Sequence, residues 1–226
     1  MINLTRWILD WSEVWAPLIP LIYFLYHRNQ PRILSPVIAY LLFAFIINLA
    51  GDIIGDFKKY LPWWLHSNNP LYNVHSVIRF CCFSYFFIML RQSSFSKLRY
   101  ILPYLSFLII LINFIYFENF GNPDHLSGNL FSTEAYFLLV YCMLYYLSKL
   151  RDEEDEIVRG PDFWVVTGLS IYVVINFFVF LFYVPMISQN ARLADNMWDV
   201  HNIAYIILCL FITRAFYEPA RYQYTV

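Results

Sequence analysis

The stretch Asn69–Leu90, NPLYNVHSVIRFCCFSYFFIML, carries Asn73, His75, Ser76 and Arg79 in its first half and then runs on through Leu90 almost wholly apolar. A bilayer core about 30 Å thick takes about 20 mostly apolar residues as a helix, because lipid gives an open backbone no hydrogen-bond partner. This stretch has that length. Six more apolar runs flank it, so the chain reads as seven spans at about 9–27, 33–54, 71–90, 99–117, 131–149, 162–186 and 197–216. Runs this continuous lack the alternation of a transmembrane barrel. The expected fold class is therefore all-α: a polytopic integral membrane protein with seven transmembrane helices in one bundle.

Composition leads to the same class. Of 226 residues, 60% are hydrophobic and 14% charged, against about 45–50% and about 25% in a soluble domain. The solvent implied is lipid. A net charge of −1 and the lack of a basic aromatic groove argue against nucleic acid as a partner. Cys81, Cys82, Cys142 and Cys209 fall inside apolar runs, so they read as small hydrophobes rather than as a disulfide framework.

The first span is interrupted by Pro17 and Pro20 and starts among Asp10, Ser12 and Glu13. It lacks the uninterrupted apolar region and small-residue cleavage site of a signal peptide, so it is expected to be retained. Orientation follows from the basic residues beside the spans. One side collects ten (Arg28, Arg32, Arg91, Lys97, Arg99, Lys149, Arg151, Arg159, Arg214, Arg221), and the other has four (Arg6, Lys58, Lys59, Arg192). The N-terminus is thus expected outside and the C-terminus inside, in a bacterial inner (cytoplasmic) membrane. No soluble domain is expected within residues 1–226, and no internal repeat stands out. Trp63 and Trp64 suit an outer headgroup region, and Asp152–Glu156 reads as a solvated inner turn.

With this orientation nearly every ionisable group in the spans falls in the outer leaflet. A charge facing lipid costs about 2.5–3.5 kcal/mol at the bilayer centre, so these groups should turn inward. Helical spacing agrees. His75 and Arg79 are four apart; Trp198, His201, Asn202 and Tyr205 fall at i, i+3, i+4 and i+7; Glu134, Tyr141 and Tyr145 at i, i+7 and i+11; Asn48, Asp52 and Asp56 four apart. The expected ligand-binding set is His75, Arg79, Glu134, Asp199, His201, Asn202, Asp52 and Tyr205, lining one outward cavity. Arg79 would hold an anionic group there, and Tyr72, Tyr141, Tyr145 and Tyr205 would add hydroxyls. Arg79 should be neutralised by an acid, with Glu134 favoured over Asp52. Gly51 and Gly55 give a small-xxx-small spacing.

Two seven-span families can be compared residue by residue. Retinal proteins need a lysine in the last span, and NMWDVHNIAYIILCLFITRAFY has none, so no retinal is expected. The chain resembles the membrane-embedded zinc hydrolases of the ceramidase and adiponectin-receptor type in span count and in having His75 and His201 near carboxylates. Their last-span HxxxH pair is incomplete here, since Tyr205 stands at the second position. Zinc catalysis takes three protein ligands and an open position, and His75, His201 and Glu134 are the candidate metal set.

Four functions stay open on this reading. One is a ligand-binding or sensory module that signals through a separate membrane or cytoplasmic protein. The others are a metal-dependent or acid–base hydrolase of a lipid or headgroup, a proton-coupled transporter, and a purely structural subunit. Membrane lipids and a small-molecule or lipid ligand are the expected partners.

Overall fold

The computed structural model describes residues 4–62, 66–90, 96–116, 126–151 and 160–218. Trp63, Trp64 and Asp152–Glu156 lie outside them. The regular elements among the described residues are helical: α1 (Leu4–Asp10), α2 (Ser12–Trp15), α3 (Leu18–Tyr26), α4 (Ser35–Phe57), α5 (Asn69–Met89), α6 (Ser96–Tyr116), α7 (Gly128–Arg151), α8 (Pro161–Gln189) and α9 (Ala191–Tyr217). Six of them, α4 to α9, are long and apolar enough to cross a membrane. The chain is a multi-pass integral membrane protein.

Where one first span was expected, the structure has three short helices. Proline is the cause. Pro17 has no N–H to offer the Glu13 carbonyl four residues earlier, and the chain breaks between Trp15 and Leu18. A second break falls at Trp11, where the Trp11 carbonyl accepts from both Val14 and Trp15. Side chains take up the carbonyls thus freed. Trp15 Nε1 donates to Ile8 (2.9 Å), Asn202 Nδ2 to Leu9 (3.1 Å) and Asn48 Nδ2 to Glu13 (3.1 Å).

The helices close into a ring. α9 packs on α8, α8 on α7, α7 on α5 and α5 on α4, while α2 and α3 each pack on both α4 and α9 and fill the remaining gap. The broken segment runs alongside α9. Arg6 pairs with Asp195 at one end (2.7 Å), and Gln30 donates to the Phe216 carbonyl at the other (3.2 Å). α6 stands outside the ring against α5 and α7; 22% of its apolar window is buried, against 44–56% for the other long helices.

Close approach of α8 and α9 depends on Gly168. A Cβ there would lie 2.5 Å from Phe211 Cβ. Gly51 and Gly55 face their own chain, with Gly51 against Tyr72 and accepting from Asn68 Nδ2 (3.2 Å). Between the first turns of α4 and the later turns of α5 and α7 the core is aromatic: Phe87 stacks on Tyr141 (5.0 Å, 7°) and Tyr40 tilts against Phe83 (4.9 Å). Cys142 and Cys209 are buried among these helices, and all four cysteines are free.

Candidate functional site

Pro70 at the start of α5 fits a first helical turn, where no N–H partner is needed. The helix it begins carries Ser76 and Arg79 on the face towards α7. Arg79 grips Glu134 with two nitrogens, through Nε to Oε1 and Nη2 to Oε2 (2.7 Å), and Nη1 donates to the Tyr172 hydroxyl on α8. The Ser76 hydroxyl donates to Glu134 Oε2, and the Arg79 guanidinium lies 5.1 Å from the Tyr172 ring centre. Such a two-pronged pair is the geometry in which a buried arginine is best compensated. Asp52, the other acid considered, lies half-buried on α4 and is coupled electrostatically to Glu13 and Asp56. His75 sits one turn before Arg79, stacked on Tyr40 (5.9 Å, 8°), and its Nε2 is buried without a partner.

A second buried cluster joins α2, α8 and α9. His201 Nδ1 donates to Asn176 Oδ1, and Nε2 faces Glu13 Oε1 at 3.1 Å. The break in the first segment is what brings Glu13 inward. The His201 ring also meets Tyr172, Phe180 and Trp198, at 5.9, 5.1 and 5.1 Å between centres. Tyr172 thus touches both clusters.

Next to His201 is a cavity of about 300 Å³ lined by Arg6, Asp10, Asn68, Asn69, Tyr72, Leu126, Tyr183, Asp195, Trp198 and Asp199. It lies where α1, the start of α5, the later turns of α8 and the start of α9 come together. Trp198 makes its floor with Tyr72 (5.8 Å, edge-on) and presses its other contacts on His201. The wall carries three aspartates and one arginine.

Most of the expected site residues are interior, but they do not line one cavity. Asp199 lines it. His75, Arg79, Glu134 and His201 are 1–4% exposed and lie beneath, and Asn202 and Tyr205 are fully buried. Arg79 turns to Glu134 and Tyr172, each of its three nitrogens donating to one of them, and does not line the cavity. Tyr141 and Tyr145 leave the site as well. Their hydroxyls donate to the Arg99 carbonyl (2.8 Å) and Asp162 (2.9 Å), near the start of α6 and of α8. His75, His201 and Glu134 do not meet as a ligand set, since no group of three His, Cys, Asp or Glu side chains among the described residues is disposed to hold a metal ion. Both His201 nitrogens are already committed.

Sequence reading missed Glu13, Tyr172 and Asn176. Tyr172 and Asn176 stand four apart in a span read as plain apolar, and that i, i+4 polar pair was the available signal. No protein-family model, curated protein or solved structure matches the chain.

Proposed function

We propose that the protein is a seven-span ligand-binding sensory module of a bacterial inner membrane, N-terminus outside and C-terminus inside, whose cavity takes a cationic ligand. The seventh span in this reading is the broken segment α1–α3. Its contacts reach from Asp195 to Phe216 of α9, a rise of about 32 Å at 1.5 Å per residue, which is a bilayer's thickness. The ten-to-four split of basic residues then puts the cavity on the outer face.

The carrying observation is the cavity wall. Asp10, Asp195 and Asp199 against Arg6 leave it net negative, and Tyr72, Tyr183 and Trp198 add aromatic faces. Carboxylates with aromatic rings are the chemistry that recognises ammonium groups. A volume of about 300 Å³ suits a small molecule. Ligand contact at Trp198 bears on His201 and, through Tyr172, on the Arg79–Glu134 pair. In this reading the bound state is passed to a separate membrane or cytoplasmic protein.

Thermal-shift measurements in detergent with tetramethylammonium, alkylamines and carboxylates of matched size test the ligand class. Ammonium probes should stabilise the protein, and Asp199→Asn should weaken the effect. Stabilisation by carboxylates with none by ammonium would overturn it. A reporter fused after Val226 tests the orientation separately.

A further inference from the structure

The hydrogen bonds around His201 fix a proton count. Asn176 Nδ2 donates to the Tyr172 carbonyl (2.8 Å), which turns Oδ1 towards His201 Nδ1. The reversed amide would set Oδ1 against a carbonyl oxygen, two acceptors with no hydrogen between them. His201 therefore carries a hydrogen on Nδ1. Its Nε2 then meets Glu13 Oε1 at 3.1 Å. An imidazole protonated on Nδ1 alone and an ionised carboxylate would again be two facing acceptors. One further proton is held between them, on Nε2 or on Oε1.

Charge balance favours that count. Arg79 and Glu134 cancel each other. With one shared proton Glu13 and His201 are neutral as a pair; with none they form a buried anion, and with two a buried cation, both costly in a low-dielectric interior. Among the described residues, none of the groups that face the pair is an unpaired cation. Glu13 feels Asp52 on α4, Tyr72 on α5, Tyr172 on α8 and Tyr205 on α9. His201 is coupled to His75 on α5. Asp10 on α1 faces the cavity, and Tyr23 on α3 lies at the far end against His27 and Tyr217.

We propose that Glu13 and His201 form a proton-carrying site, exchanging with the outer cavity past Trp198, whose loss of the proton frees the broken N-terminal segment from α9. The step is simple: an N–H or O–H bond breaks, the proton passes to cavity water, and Glu13 is left as a carboxylate. That charge draws α2 towards water. α2 is four residues long and lies between two breaks; it meets α9 through this contact, and the preceding α1 meets α9 through Asn202, which holds the Leu9 carbonyl. The inference stands apart from the identity of the cavity's ligand.

Solid-state NMR of the full-length, 15N-histidine-labelled protein in lipid vesicles tests it, with the His201 signals identified by their loss in His201→Gln. Nδ1 should be protonated at every pH, and the Nε2 signal should move as the pH on the cavity face is raised. Glu13→Gln keeps the contact, because its amide can donate to Nε2, and should abolish the movement. An unprotonated Nδ1, an Nε2 signal that ignores pH, or one that moves equally in Glu13→Gln overturns the site. A response to the opposite face alone overturns the route past Trp198. Hydrogen exchange of residues 4–26 tests the mechanical step in the unaltered protein. Protection there should fall as the proton leaves, beyond the intrinsic pH effect, and unchanged protection overturns the coupling.

Discussion

Glu134→Gln removes the charge that balances Arg79 while keeping the side chain's size. A guanidinium cannot shed its proton, so the variant leaves an uncompensated cation between α5, α7 and α8, at a cost of about 4 kcal/mol. Arg79→Met leaves the carboxylate instead. A carboxylate can neutralise itself by taking a proton, so this single variant should cost about 3 kcal/mol, the lower end of the range for a broken buried pair. In the double variant no stranded charge remains. What is lost is the Arg79 donation to Tyr172 and the charged partner of Ser76, two hydrogen bonds at about 1 kcal/mol each. Additive singles would total about 7 kcal/mol, whereas the double should cost about 2, a coupling of about 5 kcal/mol. Reversible unfolding in bicelles measures all three. A double variant close to the sum of the singles would refute the pairing argument, whatever the size of each single effect.

Asn48→Ala should destabilise by about 1–2 kcal/mol, since it strands the Glu13 carbonyl that Pro17 cannot serve, and an unfolding midpoint within error of the unaltered protein would contradict this. Gly168→Ala drives a methyl into Phe211 and should cost about 1–3 kcal/mol, with the α8–α9 contact loosened in cross-linking. Pro17→Ala restores an N–H for the Glu13 carbonyl, so α2 and α3 should join into one helix and the Glu13–His201 contact should be lost, readable in the His201 nitrogen signals. Asp195→Asn breaks an exposed pair with Arg6 and should leave the unfolding midpoint unchanged at moderate salt.

Hydropathy and helical spacing carried most of the fold. Ser35–Phe57 and Asn69–Met89 match their expected spans, and α9 ends where its span was expected to end but begins earlier, at Ala191, because lipid requires a length and an apolar content that are written locally while a polar first turn is not part of that signal. The Arg79–Glu134 pair was legible for a related reason: an intramembrane cation demands an acid, and few acids are available. Glu13 was not. Its inward turn depends on two breaks in a segment that composition describes as a poor span, and on Asn48 and Asn202, which take over carbonyls the helix gives up. That Tyr172 shares Arg79 with Glu134 was not legible, because spacing shows which face a side chain shares but not which donors and acceptors meet there. Tyr141 and Tyr145 show the same limit with depth: i+7 and i+11 keep a face but move down the bundle by two and three turns.

Asn190 alone separates α8 from α9, and its side chain caps the new helix at Leu193. These two spans can therefore enter the bilayer together as a hairpin, joined along Gly168. The segment made first has the opposite history. Its carbonyls at Leu9 and Glu13 are held by residues of α9 and α4, and helices of seven, four and nine residues cannot satisfy their own backbone in lipid meanwhile. The N-terminal segment is made before α9 and should settle only once α9 is in place. Chains truncated before α9 should leave residues 4–26 open to protease, and addition of an α8–α9 fragment should close them.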